Sequence, residues 1–225
     1  ITSNYNDSSG TLELNGFETL EKYQAALKSI TFKSTNDDPT QNQTSTHRII
    51  NWYVTDANSD GAGAATNSVS SSIIKIIPTI DKPIIVAGSS INYTENQTPQ
   101  LFIENEINIE DSDDAKLSKA VITITNGYTI GDFLTFENIY GIPSNYDTTS
   151  GTLTLEGIAS IENYQAALRS IHYYSNSHHP TIKSQTRTIS WLVTDANSEE
   201  LGAVDSEIDT TKINIIAINV CTKDK

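Results

Sequence analysis

Apolar and polar residues alternate along much of the chain, which is the period of a β-strand with one buried face. In RTISWLVT, residues 187–194, every second residue from Arg187 onward falls on one face, and this face includes Trp191. IINWYVT, residues 49–55, places Trp52 in the same way. The pattern therefore predicts two equivalent core strands, with Trp52 and Trp191 both buried inside β-sandwiches.

Shorter segments with the same character surround these two strands. Further strands are predicted at residues 91–95, 119–125, 151–155, 171–174 and 209–218. IENYQAALRSI departs from the alternation, because its apolar residues recur every three or four positions. It predicts a helix of about two turns, with Ser160 as the N-cap and Thr19 as the N-cap of an earlier copy. The chain is thus predicted to be all-β, with one short helix in each sandwich.

The sequence contains an internal repeat. NYNDSSGTLELNGFETLEKYQAALKSI returns as NYDTTSGTLTLEGIASIENYQAALRSI after 141 residues, and RIINWYVTDANSD returns as RTISWLVTDANSE after 139. A variable loop between the two segments accounts for the difference, since loops absorb length changes at low cost. We predict a partial repeat at 1–80, a linker at 81–83, a complete repeat at 84–220 and a tail at 221–225.

The partial repeat matches only the second half of the complete one. Its expected elements are the strands GTLEL, SITFK, IINWYVT and SIIKII and the helix LEKYQAAL; counterparts of INYTEN, INIED and KAVITIT are missing. Three possibilities are open: the segment is disordered, it borrows strands from another molecule, or its missing half lies upstream in a longer parent. We favour the last two, because the core pattern is intact, and lean slightly toward completion by another chain.

Charge and motifs exclude several functional classes. The formal net charge of −14 disfavours nucleic acid as a partner. The apolar runs, such as IIKII, are far shorter than the roughly twenty residues of a membrane span. No nucleophile elbow, phosphate-binding loop or zinc spacing is present. We therefore expect a protein that is not an enzyme and has no membrane span.

Carboxylates cluster at three places. EDSDDA places Asp111 and Asp113 at alternate positions, and VTDANSE places Asp195 and Asn197 just after a core strand. VTDANSD repeats the second arrangement with Asp56 and Asn58. Hard divalent cations prefer several oxygen ligands, but Asp and Asn also favour turns for local reasons. The spacing alone leaves both readings open.

The combination of motifs resembles the cadherin-like repeats of bacterial giant adhesins and RTX-type surface proteins. The resemblance is carried by YTEN, the D-x-D loop in IEDSDDA, the G-x-L-x-L-x-G strand in GTLTLEG, YQAALRS and VTDANS. It covers the complete unit from about Pro83 to Asn219 and the partial unit before it. It implies Greek-key β-sandwiches strung end to end and stiffened by calcium at their junctions.

The resemblance also implies a ligand set for Ca²⁺. Asp111, Asp113 and Asp195 would meet the linker residue Asp81, with Asn197 in support. Glu95, from YTEN, would lie at the opposite end of the module and face the following junction. The position equivalent to Asp81 after the second unit is Val220, so that junction should bind calcium poorly. The linker PTIDKP also has fewer acids than the family pattern.

The leading functional hypothesis is a calcium-rigidified structural module of a secreted or cell-surface adhesin or surface array. Its partners would be neighbouring repeats of the same or identical chains. A first alternative is a subunit of an extracellular filament assembled by strand complementation. A second is a carbohydrate-binding module that takes polysaccharide or another cell-surface ligand, for which Tyr173, Tyr174 and Tyr140 are candidate platform residues.

Overall fold

The computed structural model describes residues 1–41, 43–98, 100–138, 140–198 and 200–218. The predicted tail at 221–225 and the position of Val220 lie outside these residues. The chain separates into two compact units. Unit 1 comprises residues 1–39 and 45–77, and unit 2 comprises residues 40–44 and 78 onward.

Unit 1 contains two separate two-stranded antiparallel sheets and one helix. Strand β1 pairs with β2, and β3 pairs with β4. The bounds are β1 Thr2–Asn6, β2 Thr11–Asn15, α1 Leu20–Lys28, β3 His47–Trp52 and β4 Ser70–Lys75.

Unit 2 contains eleven described strands and one helix. The bounds are β5 Ile84–Val86, β6 Ser90–Thr94, β7 Leu101–Phe102, β8 Asn108–Glu110, β9 Lys116–Asn126, β10 Asp132–Thr135, β11 Ser144–Asp147, β12 Thr152–Ser160, α2 Ile161–Arg169, β13 His172–Ser175, β14 Thr186–Asp195 and β15 Asp209–Ile216.

Two larger sheets enclose the core of unit 2, and β5 pairs with β8 in a separate two-stranded sheet whose Ile85 and Ile109 also belong to the core. The larger has six strands in the order β11-β12-β9-β14-β15-β6, and the smaller has three in the order β10-β13-β7. This order does not follow the sequence, as is usual for Greek-key sandwiches. Tyr93 on the larger sheet meets Tyr173 on the smaller one edge to face, with ring centroids 4.9 Å apart. The prediction of an all-β sandwich is confirmed.

The alternating pattern places the core side chains of the central strands. β9 lies between β12 and β14 and is antiparallel to both, with Ile122 opposite Leu153 on one side and Trp191 on the other. All three side chains are buried. Burial of apolar surface stabilises the folded state by roughly 25 cal/mol per Å². The apolar side chains of these three strands therefore stabilise the fold of unit 2.

Helix α2 begins and ends as its sequence predicts. The Ser160 hydroxyl accepts a hydrogen bond from the N–H of Asn163 at 3.2 Å, which satisfies one of the free donors of the first turn. Tyr164 and Leu168, one turn apart, are fully buried against the sheet. In unit 1, Thr19 caps α1 in the same way through the N–H of Lys22.

Two predictions for unit 1 were wrong. Trp52 is only half-buried, whereas Trp191 has no exposed surface. Residues 29–33, SITFK, form no strand. Their counterparts around β13 pair only with β7 and β10, and both of those strands belong to the first half of the repeat. Trp52 is not fully buried and residues 29–33 do not pair for the same reason: the first-half strands are missing from unit 1.

Candidate metal site and the acidic loops

The loop after β8 carries the acidic segment Asp111–Asp114. One oxygen of Asp111, Oδ1, accepts hydrogen bonds from the N–H groups of Asp113 at 3.2 Å and Asp114 at 3.0 Å. This turn, typical of aspartate, folds the loop back on itself. It brings the carboxylates of Asp111 and Asp113 together, as the D-x-D spacing predicts.

Two buried carboxylate oxygens in this loop have no partner. They are Oδ2 of Asp111 and Oδ1 of Asp113, and no described group donates a hydrogen bond to either. Asp113 is only 5% exposed. Burial, the adjacent carboxylate of Asp113, which can accept a hydrogen bond only from a protonated Asp111, and the charge of Asp113 together raise the pKa of Asp111 to about 7. Two negative charges on this pair therefore destabilise the folded state unless a proton or a cation lies between them.

Asp81 contacts this pair through its backbone. Its N–H donates to Oδ2 of Asp113 at 2.8 Å, and its own side chain is exposed. The structure thus brings the linker residue to the D-x-D loop, but it does not place the Asp81 carboxylate among the buried oxygens.

Asp195 uses both of its oxygens inside its own loop. Oδ1 accepts from the N–H of Asn197 and Oδ2 from the N–H of Val204, both at 2.9 Å. Asn197 has a left-handed backbone, φ 57°, and its side-chain oxygen accepts from the N–H of Gly202 at 2.6 Å. In this arrangement Asp195 and Asn197 hold the loop after β14 in shape.

Asp114 connects the two loops. Its carboxylate accepts from the hydroxyl of Ser198 and from the Ser198 N–H, the latter at 3.4 Å. Ser118 also donates to the backbone carbonyl of Asp195 at 2.5 Å. The D-x-D loop and the loop of Asp195 are therefore neighbours, as the resemblance to cadherin-like repeats implies. The role of the Asp114–Ser198 contact was not predicted.

The described residues contain no group of three or more His, Cys, Asp or Glu side chains arranged to hold a metal ion. Asp111 and Asp113 form a pair, and the other proposed ligands lie nearby through backbone or loop contacts. The calcium ligand set stays a prediction.

Glu95 lies at the far end of the larger sheet. It follows β6, and its Oε2 accepts from the N–H of Ile218 at 2.9 Å, just beyond the C-terminal end of β15. Asp195 is the last residue of β14, which is antiparallel to β15, and its N–H donates to the carbonyl of Val204, before β15 begins. The two acids therefore lie at opposite ends of the larger sheet, separated by more than the length of β15, which is about 25 Å at 3.3 Å per residue.

Asp56 and Asn58 in unit 1 repeat the loop of Asp195. Asp56 Oδ1 accepts from the N–H of Asn58 at 2.9 Å, and Asn58 Oδ1 accepts from the N–H of Gly63 at 2.6 Å. Both residues are exposed. The D-x-D loop has no counterpart in unit 1, so these residues face no buried carboxylate pair there.

A second group of fully buried charges lies elsewhere in unit 2. Asp132 and Arg187 form an ion pair, Nε to Oδ2 2.6 Å, with neither side chain exposed. The Tyr173 hydroxyl donates to the other oxygen of Asp132 at 2.8 Å, and burial followed by the charge of Asp132 raises the Tyr173 pKa. Sequence reasoning missed this cluster, because Asp132 carries no motif of its own.

The three tyrosines proposed as sugar-binding platform residues occupy different environments in the structure. Tyr173 is fully buried and Tyr174 faces the other side of the smaller sheet, where it stacks on Phe133 with ring centroids 4.9 Å apart. Tyr140 is half-buried and packs against the core. Tyr173 is therefore unavailable as a platform residue.

No protein-family model matches the chain, and no curated protein matches it significantly. Among solved structures, it is similar to the protocadherin GammaB4 extracellular domain, with 15% identity and a TM-score of 0.35. The match covers 78% of this chain and about a fifth, 22%, of that one. The strand topology of unit 2 itself defines the β-sandwich.

The helices of the described residues are too short and too polar for any of them to cross a membrane.

Proposed function

We propose that this chain is a non-catalytic structural repeat module of an extracellular adhesin or surface array, and that calcium stiffens the junction before unit 2. The observation that carries the proposal is the pair of buried, unpartnered oxygens on Asp111 and Asp113. An unsatisfied buried polar group costs about 1–3 kcal/mol, and more for a charged one, so a fold that keeps two side by side favours a bound cation.

The chemistry of the pair suits a hard cation. Both free atoms are carboxylate oxygens, and calcium prefers six to eight oxygen ligands from carboxylates, carbonyls and water. Asp111 and Asp113 would supply the charge, and Asp81, exposed on the short linker, is the next carboxylate along the chain. Asp195 and Asn197 would act by holding the neighbouring loop in shape.

The position of the pair gives calcium a mechanical role. The N–H of Asp81 already donates to Asp113, so the linker and the D-x-D loop share one contact. An ion bound by Asp111 and Asp113 would hold this loop, and any linker carboxylate that joined it would restrict the linker. This is the work of a rigid spacer and requires no catalytic group.

Titration calorimetry and thermal melting in calcium and in chelator test the proposal. The expected result is binding with a rise in melting temperature, because a ligand of the folded state stabilises it by mass action. An unchanged melting temperature at millimolar calcium would contradict the calcium role. Magnesium is the matched control, since it is smaller and gives up its water less readily.

A further inference from the structure

The pairing of β9 with β14 brings two loops of unit 2 to the same end of the larger sheet. The strands are antiparallel, so the D-x-D loop, which precedes β9, lies beside the loop of Asp195, which follows β14. Leu117 is the register partner of Asp195 at this end. The Ser118 hydroxyl donates to the carbonyl of Asp195 at 2.5 Å and joins the start of one strand to the end of the other.

Two backbone groups hold the ends of the D-x-D loop. The N–H of Asp81 donates to Oδ2 of Asp113 at 2.8 Å. The N–H of Ile161, at the start of α2, donates to the carbonyl of Ala115 at 3.2 Å. Neither contact uses the two buried oxygens that lack a donor. The loop is therefore attached at both ends while its free oxygens stay available.

Asp114 supplies a third attachment, to the neighbouring loop. Its side chain is 3% exposed, and its carboxylate accepts from both the hydroxyl and the N–H of Ser198. Asp111 and Asp113 differ from it, because each keeps one buried oxygen with no described donor. Hydrogen bonds to a charged group are roughly twice as strong as neutral ones, so the bonds from Ser198 fix the acid that directly follows the pair.

The loop of Asp195 is built so that it presents Ser198. Asn197 has a left-handed backbone, φ 57°, directly before this serine, and its Oδ1 accepts from the N–H of Gly202 at 2.6 Å. Asp195 accepts from the N–H groups of Asn197 and Val204, both at 2.9 Å. The two side chains thus hold the turn in which Ser198 meets the D-x-D loop.

We infer that Ser198 is a positioning residue for the cation site of the D-x-D loop. Through Asp114 it holds Asp111 and Asp113 in the arrangement that leaves one oxygen of each free. The inference rests on the proposed calcium role and adds a regulatory link to it. The loop of Asp195 influences the cation through Ser198, because both oxygens of Asp195 already accept N–H groups of their own loop.

The link between the loops acts in both directions. If order in the loop of Asp195 strengthens calcium binding, calcium binding must increase the order of that loop by the same factor. Binding at the pair therefore stabilises the D-x-D loop directly and the neighbouring loop through the contact between Asp114 and Ser198.

Amide exchange measured by NMR in chelator tests the positioning without any cation. The N–H groups of Asp113 and Asp114 donate to Asp111. They should exchange about fivefold faster in Ser198→Ala than in the parent chain, because the D-x-D loop loses one of its attachments. Ser198→Thr keeps the hydroxyl and should restore the slower exchange.

Ser112→Ala is the matched control, since Ser112 is exposed in the same loop. This variant should leave the exchange of both N–H groups unchanged. Equal exchange in the parent chain and in Ser198→Ala would overturn the inference, whether or not the parent binds calcium.

Calorimetric titration with calcium tests the link to the cation. Ser198→Ala should bind calcium about tenfold more weakly than the parent chain, as loss of a hydrogen bond to a charged group predicts. Calcium should also slow exchange of the N–H groups of Gly202 and Val204 in the parent but not in Ser198→Ala. Equal calcium affinities for parent and variant would overturn the inference.

A double-mutant cycle shows whether Ser198 acts through Asp114. In the Asp114→Ala background, Ser198→Ala should change neither the exchange of the Asp113 N–H nor the calcium affinity. An undiminished effect of Ser198→Ala in this background would overturn the inference. Absence of calcium binding by the parent chain would instead contradict the proposed function, while the chelator experiment still decides whether Ser198 holds the D-x-D loop.

Discussion

Arg187 and Asp132 form an ion pair with no exposed surface, Nε to Oδ2 2.6 Å, and it joins β14 to the start of β10 across the two sheets of unit 2. The pair is also tied to the backbone and to Tyr173. Arg187 reaches the carbonyls of Pro180 and Ser184, and Tyr173 binds the second oxygen of the carboxylate. Because its remaining donors and acceptors are satisfied, the burial penalty of the two charges is offset.

Removal of one partner of this pair should be strongly destabilising. Arg187→Ala leaves the buried carboxylate of Asp132 uncompensated, and we expect a loss of about 3–5 kcal/mol in the free energy of unfolding. Arg48→Ala is the matched control, since that arginine has no described carboxylate partner, and its cost should be smaller. Urea denaturation measures both, and equal losses would contradict the distinction between the two arginines.

The two tryptophans should differ in cost and in fluorescence. Trp191→Ala removes a fully buried ring and should cost about 3–5 kcal/mol through the cavity that it leaves. Trp52→Ala should cost less, because its ring is already half-exposed. Each Trp→Phe variant isolates the other emitter, and Trp52 should emit at longer wavelength than Trp191. Coincident spectra would show that the two environments are alike.

Asp111 and Asp113 should be needed for any calcium effect. The double variant Asp111→Asn and Asp113→Asn should abolish the rise in melting temperature on adding calcium, because it removes both charges from the buried pair. Measured at about pH 8, where a carboxyl with a pKa of about 7 is ionised, the calcium-free variant should melt higher than the calcium-free parent. Glu110→Gln, in the neighbouring exposed position, is the control and should keep the response.

Glu104 should make the stability of unit 2 depend on pH. Burial opposes its charge, but hydrogen bonds from Ser89, Thr211 and Gly88 outweigh this and lower the Glu104 pKa. The stability it contributes is therefore present above its unfolded pKa, about 4.3, and is lost as the pH falls through the lower folded value.

Glu104→Gln tests this dependence. The variant should show a shallower decline in the free energy of unfolding between about pH 5 and pH 3. At neutral pH it should cost about 1–3 kcal/mol, because an amide accepts these bonds less well than a carboxylate. Parallel curves for parent and variant over the acid range would contradict the assignment.

The sequence predicts the local features of this protein well. Ser160 and Thr19 cap their helices, and the alternation around Trp191 places that ring in the core, because caps and strand faces depend on a few neighbouring residues. The same alternation around Trp52 predicts a buried ring and is wrong. Burial depends on strands that are distant in sequence, and for Trp52 those strands are missing.

The acidic loops show a second limit of sequence reasoning. The D-x-D spacing predicts that Asp111 and Asp113 meet, and they do. It does not predict that Asp195 spends both oxygens on the N–H groups of its own loop. That outcome depends on the left-handed backbone at Asn197, φ 57°, which folds the loop over the carboxylate. A cluster of acidic residues in the sequence therefore predicts which carboxylates lie near one another. It does not predict which of their oxygens lack a hydrogen-bond partner.

The parallel pairing of β6 with β15 determines how unit 2 carries tension. β6 comes near the beginning of the unit in sequence and β15 near its end. The two strands pair side by side, from Ser90 beside Lys212 to Thr94 beside Ile216. Force applied through the two ends pulls parallel strands in opposite directions, so their hydrogen bonds are loaded in shear and must break together. Stretching of unit 2 between Pro83 and Ile218 should therefore give a single high rupture force, and a gradual, low-force extension would show that the strands peel apart. A module joined in this way resists extension along the line that connects its two ends.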